Sequence, residues 1–340
     1  MEFDSEILEG ARNAIRVCMG VQAADRVFIV TDDETLVVGK ALEAEARAVK
    51  AKVECVRLEE YGPRPMTTLP DELSRRFTSF SPSVSFYAAG AKEGEISLRG
   101  GIFNLQREMK TRHGHMPTIT AQVMREGMRA DYHQVHLLTM QVFELVRNAR
   151  TIHVTTPEGT DLSAQFDAKL KWIPMGGIYH KKGEWGNLPE GEVFTCPAKV
   201  EGVVVAREIG DYFAAKYGTL EEPMTIEIAD GRATQARSKD KGLEAEFVAY
   251  LDAAENGRRV GEFAIGTNIG LSALCGVFLQ DEKIPGVHIA FGNPYGYMTG
   301  ADWSSRNHVD VIPPKCTIEV DGKLLMEDGR FTLPDSSPGD

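Results

Sequence analysis

The chain has 340 residues, 42% of them apolar in type, and a formal net charge of −12. That length suits two domains, and the apolar share is enough for a real core and excludes a disordered chain. The acidic balance, with no Lys/Arg cluster, argues against nucleic-acid binding and names no other partner.

Residues 1–10 are acidic and polar, which is not the pattern of a signal peptide. Ile7, Leu8, Ala11, Ala14, Ile15 and Cys18 fall on one helical face. Val27-Phe28-Ile29-Val30 reads as a buried strand, and residues 35–52 as an Ala-rich helix with Leu36, Val37, Ala41, Ala44 and Ala48 at helical spacing. Strands follow at residues 53–58 and 83–88, and a helix at residues 132–147 with Val135, Leu138, Val142 and Leu145 in register. Strands separated by helices predict a parallel sheet with helices on its faces.

After Arg150 the texture becomes β-rich. Residues 151–156 and 161–166 form an expected hairpin around Pro157-Glu158-Gly159-Thr160. Further strands are expected at residues 200–206, 224–228, 316–320 and 324–326, with turns at Asp230-Gly231 and Asp321-Gly322. One helix interrupts them, marked by Leu243, Phe247, Leu251 and Ala254, with Gly257 as its C′ residue. Residues 336–340 are expected to fray. The predicted fold is α/β: an N-terminal parallel-sheet α/β domain over residues 1–150, then a β-rich α+β C-terminal domain over residues 151–340.

Cys18, Cys55, Cys196, Cys275 and Cys316 are odd in number and form no CxxC pair. They read as buried small apolar residues, with no disulfide framework or zinc knuckle. No run approaches the ~20 apolar residues of a membrane span, so the expected compartment is the cytoplasm. Gly100-Gly101 fits neither GxGxxG nor a P-loop, and there is no GxSxG elbow. His113 and His115 form a lone HxH without acidic or Cys partners nearby; an exposed loop is the expectation.

The C-terminal half gathers metal-ligand types. His308-Val309-Asp310 on a strand aims an imidazole and a carboxylate at one side, because residues i and i+2 share a face. His288 sits inside an apolar strand, Val287-His288-Ile289-Ala290-Phe291. Glu262 interrupts Val260-Gly261-Glu262-Phe263-Ala264-Ile265, Glu192 sits in Gly191-Glu192-Val193-Phe194-Thr195, and Glu282 follows Val277-Phe278-Leu279. A carboxylate in an apolar strand is costly unless paired or metal-bound. A salt bridge or a solvent-facing strand face explains any one of these; it explains four carboxylates and two imidazoles together less easily. Oxygen and nitrogen donors without thiolate suit Zn²⁺, Mn²⁺, Co²⁺ or Fe²⁺. Six donors exceed what one tetrahedral catalytic ion uses and predict two.

Glu-Val-Phe-Thr, Gly-Glu-Phe-Ala-Ile-Gly, Asp-Glu-Lys, His-Ile-Ala-Phe-Gly and His-Val-Asp, in that order, resemble the thermophilic aminopeptidase family. Asn187-Leu188-Pro189 also matches. The resemblance implies a homodimeric dinuclear metallo-exopeptidase with the metals in the C-terminal domain. It places the metal ligands at Glu192, Glu262, Glu282, His288, His308 and Asp310, and a catalytic tyrosine at Tyr295. Lys283 stands where the family has Asn, and the chain is shorter than the typical aminopeptidase. Short relatives of the family include a mononuclear, iron-dependent dioxygenase that opens 2,5-dihydroxypyridine. Two functions are therefore expected in competition. In a hydrolase acting on an N-terminal peptide bond or a small amide, Glu192 or Glu262 is general base and Tyr295 stabilises the oxyanion. In an Fe(II) oxygenase, His288, His308 and Asp310 hold the metal. The surplus glutamates favour the hydrolase.

Overall fold

The computed structural model describes residues 4–210 and 212–333. Its contacts divide the chain into two compact units, Met1–His136 with Met175–Glu190, and Leu137–Pro174 with Gly191–Asp340. Residues 137–150 thus pack with the second unit and residues 175–190 with the first. The expected frayed tail lies outside the described residues.

The first unit carries five parallel strands in the order Lys52–Arg57, Arg26–Thr31, Val84–Ala88, Arg112–His115, Trp185–Asn187. The central strands are buried on both faces and mostly apolar, as a covered parallel sheet requires. Ile7, Ala11, Ala14, Ile15 and Cys18 are buried, along Ser5–Arg12 and the π-helical turn Asn13–Cys18. The Ala-rich helix spans Leu36–Ala48, and residue 52 already belongs to the next strand. Its buried face is Val38, Ala41, Leu42, Glu45 and Ala46, rotated from the expected one, and Arg12 and Arg16 pair with the glutamate there. Two helices, Asp71–Phe80 and Ile96–Met109, lie in stretches that the sequence reading leaves unassigned. Gly101 sits inside the second, where a Cβ would lie 2.7 Å from Leu69 Cβ; packing, not phosphate binding, accounts for it.

The His113/His115 pair is not an exposed loop. Both residues lie in the strand Arg112–His115, between two others of the parallel sheet. His113 is fully buried, its Nδ1 2.9 Å from Ser85 Oγ, and His115 stacks on Tyr87. Burial pushes the His113 imidazole down to about 3 and holds it neutral.

In the second unit an eight-stranded antiparallel sheet begins with the expected hairpin, Thr151–Thr155 and Asp161–Gln165. A six-stranded sheet runs through Glu208–Ile209, His308–Ile312, Gly286–Gly292, Val260–Gly266, Glu192–Thr195 and Ile173–Met175. One apolar core serves both, with Val154, Leu162, Val204 and Ile226 from the first and Val193, Phe263, Ile289 and Val311 from the second. Truncating a buried Phe such as Phe263 to Ala would cost about 3–5 kcal/mol. The helix Lys241–Asp252 lays Leu243, Phe247 and Leu251 on this core. It ends at Asp252, so Gly257 is not its C′ residue. Asn256 takes the left-handed conformation, and Gly257 is small because a Cβ would lie 2.2 Å from the Leu251 carbonyl oxygen.

The five cysteines are free; Cys18, Cys196 and Cys316 are buried, Cys55 and Cys275 partly so. Among the described residues, no helix is long and apolar enough to cross a membrane.

Candidate metal centre

Four neighbouring antiparallel strands build the centre. Phe194 pairs with Ala264, Ala264 with His288, Glu262 with Ala290, and Ala290 with Asp310. Directly paired residues share a face, as do residues two apart. Glu192, Glu262, His288, His308 and Asp310 therefore all project from one side of this sheet. Val193, Phe263, Ile265, Val287, Ile289, Phe291, Val309 and Val311 point to the other side, into the core. Between the polar side chains stand Ala264, Gly266, Ala290 and Gly292, which leave room above the sheet.

The face of Glu262 depends on a bulge. Val260 pairs with Phe291 on the core side, yet Glu262 pairs with Ala290 on the polar side. Strict alternation would put residues 260 and 262 on the same face. The extra residue, Gly261, turns the strand over between them. Only glycine fits there, since a Cβ would lie 2.1 Å from the Gly292 carbonyl oxygen.

Glu282 comes from a different element. The short helix Phe278–Asp281 is pinned by Asp281, whose Oδ2 accepts the backbone N–H groups of Cys275, Gly276 and Val277. Glu282 and Lys283 follow directly. The chain then crosses closely over Gly266, where a Cβ would lie 2.0 Å from the Ile284 carbonyl oxygen. This crossing brings both side chains to the polar face.

The six expected donors gather in three overlapping groups: Glu192, Glu262 and His288; Glu262, His308 and Asp310; Glu282, His288 and Asp310. Within each group, ligand atoms lie within 4.8 Å of one another. His308 Nε2 is 3.3 Å from Asp310 Oδ2, and His288 Nε2 is 3.5 Å from Glu192 Oε2 and 3.7 Å from Glu262 Oε1. Two donors held about 2.1 Å from a tetrahedral ion lie roughly 3.4 Å apart. Glu192 Oε2 and Glu262 Oε2 are buried without a hydrogen-bond partner. Buried polar atoms are normally satisfied, so orphaned carboxylate oxygens at this spacing fit a metal ion.

The charges support that fit. Burial raises Glu262, and it pushes Glu282 up to about 8 against the pull of Lys283. Burial alone would depress the imidazoles. The contact with Glu262 and the charges of Glu192 and Asp310 carry His288 up to about 9, and Asp310 carries His308 up to about 10. The His308 cation in turn outweighs burial at Asp310 and lowers it. The cluster thus attracts positive charge. His308 Nδ1 lies 3.0 Å from the Asn293 carbonyl, to which it donates, so Nε2 is the nitrogen left to face the carboxylates.

Tyr295 lies beside these residues. Its ring centroid is 4.7 Å from that of His308 and 6.1 Å from that of Phe194. It holds a left-handed backbone with φ 48° at the start of the helix Gly296–Thr299, and its N–H donates to Asn293 Oδ1. Burial and the nearby charges of Glu262 and Asp310 raise its hydroxyl, which stays protonated. Tyr297 is 75% exposed, with its ring centroid 6.3 Å from that of Tyr295. The sequence reading did not include Lys283 in the site. Its Nζ lies 2.7 Å from Glu192 Oε1 and 2.9 Å from Glu282 Oε1. The one signal was the departure from Asn at that position.

Solved structures resemble the whole chain, two of them as follows. AmpT from Thermus thermophilus is 20% identical with a TM-score of 0.70, covering 96% of this chain and 99% of its own. The 2,5-dihydroxypyridine dioxygenase from Pseudomonas putida KT2440 is 18% identical with a TM-score of 0.68, covering 98% and 99%. At these identities the likeness is one of fold. No curated protein sequence matches the chain. The family model of the thermophilic metalloproteases (M29) matches residues 120–310. That segment is more than half of the chain and contains all six donors and Tyr295. The chain belongs to the thermophilic metalloprotease (M29) family and is a hydrolytic enzyme.

Proposed function

We propose that the chain is a metal-dependent aminopeptidase whose second unit is its metal-binding catalytic domain. The observation that carries this reading is the pair of orphaned, buried carboxylate oxygens of Glu192 and Glu262, set among His288, His308 and Asp310 on one sheet face. Glu192, Glu262, Glu282, His288, His308 and Asp310 line the centre, for Zn²⁺, Co²⁺ or Mn²⁺. A divalent ion supplies the Lewis acidity that polarises a scissile carbonyl and makes water acidic.

The chain's own residues do the rest. Lys283 fixes one oxygen of Glu192, and the other, 3.5 Å from His288 Nε2 and without a hydrogen-bond partner, accepts the proton of the attacking water. The neutral Tyr295 hydroxyl donates a hydrogen bond to the developing oxyanion. A short peptide with a free amino terminus is the proposed substrate. A homodimer in the cytoplasm is the proposed setting, to be checked by light scattering and fractionation.

The test uses metal-loaded protein and two peptides that differ only in N-terminal acetylation. Release of the first residue from the free peptide alone is expected. No release with any of the three metals would sink the reading. One observation favours a second function: His288 Nε2 and His308 Nε2 lie 3.8 and 3.3 Å from the carboxylate of Asp310, a two-imidazole, one-carboxylate set. Oxygen uptake by Fe(II)-loaded protein with a dihydroxypyridine, and no peptide cleavage, would favour it.

A further inference from the structure

The sequence reading predicts two ions from the donor count, but the donors are not all available. The Lys283 side chain is 1% exposed. A lysine enters such a position only where fixed negative charge meets it. It does so here between Glu192 and Glu282, each of which gives it an oxygen within 2.9 Å. We propose that the Lys283 ammonium takes the place of a second metal ion, so that the chain binds one divalent ion, through Glu262, His308 and Asp310. The proposal rests on the reading of this site as a metal centre.

Three features carry it. First, two of the three donor groups need Glu192 or Glu282, the carboxylates that Lys283 engages; only Glu262, His308 and Asp310 contain neither. An ion in either of the other groups would share a carboxylate with a buried ammonium, and like charges at that range repel strongly away from water. Second, the groups overlap. Glu262 and Asp310 each belong to two groups, with Glu262 Oε2 and Asp310 Oδ2 on the His308 side and Glu262 Oε1 and Asp310 Oδ1 on the His288 side. A second ion beside His288 therefore depends on Glu192 or Glu282 for a further donor, and Lys283 engages both. Third, the ammonium is built in. The Lys283 backbone N–H donates to the Gln280 carbonyl and its own carbonyl accepts from Asn268, in the segment that crosses Gly266. A fixed cation delivered by a pinned backbone is present whatever the metal supply. The neutral Asn of the resembling family leaves that place open.

The experiment is a calorimetric titration of chelator-stripped full-length protein with Zn²⁺, with elemental analysis of the dialysed product. One ion per chain is expected. Two ions per wild-type chain would overturn the proposal. No bound ion would instead overturn the metal-centre reading on which it rests, so the two failures are distinct. Lys283→Asn should raise the count to about two; a count that stays at one means that Lys283 is not what excludes the second ion. Glu282→Gln guards against an unfolded Lys283 variant. It should keep one ion per chain, since Glu282 holds the ammonium and not the metal. Loss of that ion would overturn the assignment.

Discussion

A Cβ on Gly261 would lie 2.1 Å from the carbonyl oxygen of Gly292. This close approach holds the bulge that turns Glu262 from the core side of its strand to the polar side. Gly261→Ala must push the two strands apart or undo the bulge, at a cost of roughly 1–3 kcal/mol. It should also weaken metal binding, because Glu262 loses its aim. Denaturant midpoint and zinc affinity together check this. Unchanged affinity in a destabilised variant would mean that the bulge serves packing alone.

His308→Ala and Asp310→Ala should each lose the bound ion and activity while the chain stays folded. The two side chains project from one strand on the same face, 3.3 Å apart at their closest atoms. Metal content and circular dichroism of both variants decide the matter. Normal metal content in both would remove the pair from the centre.

Tyr295→Phe should lower kcat by roughly 10²–10³ with KM and metal content little changed. The ring, and so its packing on His308 and Phe194, is retained, and only the hydroxyl goes. Tyr297→Phe should be close to neutral, since Tyr297 stands in solvent. Wild-type turnover by Tyr295→Phe on a verified peptide would take this hydroxyl out of the mechanism.

Glu208 gives a pH signature of folding. It is fully buried, and burial, then its contact with Asp281, pushes it up to about 10. The folded state therefore holds a proton that the unfolded chain releases near pH 4.5. Stability from this group is complete below that pH and is lost progressively as pH rises toward 10. Glu208→Gln stays neutral at every pH. Relative to wild type it should gain about 1–3 kcal/mol more at pH 8 than at pH 5. Chemical denaturation at the two values tests this, and equal differences would refute it.

His113 and His115 should be dispensable for metal. A double alanine variant should bind the ion normally yet fold less stably, because His113 fills a buried position and meets Ser85. Cavity formation there costs about 2–4 kcal/mol. Lost metal at retained fold would bring the first unit into the centre.

Much of this was legible in the sequence because period-2 patterning reports faces directly. Val287, Ile289 and Phe291 alternate with His288 and Ala290, and His308 and Asp310 bracket Val309, so the face of each donor could be read. Glu262 was legible as an anomaly but not in its direction. A bulge leaves no trace in the sequence except a glycine that could serve many purposes. Lys283 was harder still. Its role comes from a chain crossing over Gly266 and from a helix pinned by Asp281, neither of which periodicity encodes. His113 and His115 misled for a related reason. Four residues of covered parallel strand are too short for a pattern, and two histidines look polar until a sheet closes over them.

The same four strands present oil on one side and charge on the other, alternating except at the Gly261 bulge. A slip of one residue in their pairing would exchange the two sides. Glutamates and histidines would then face Val154, Leu162 and their neighbours, and the valines and phenylalanines would line the reaction chamber. Such a mispaired sheet cannot be partly right, because each strand carries both the hydrophobic and the ionic half of the error. The chemistry of the site therefore acts during folding as a proofreading device, which rejects wrong alignments of the sheet before any metal or substrate is present.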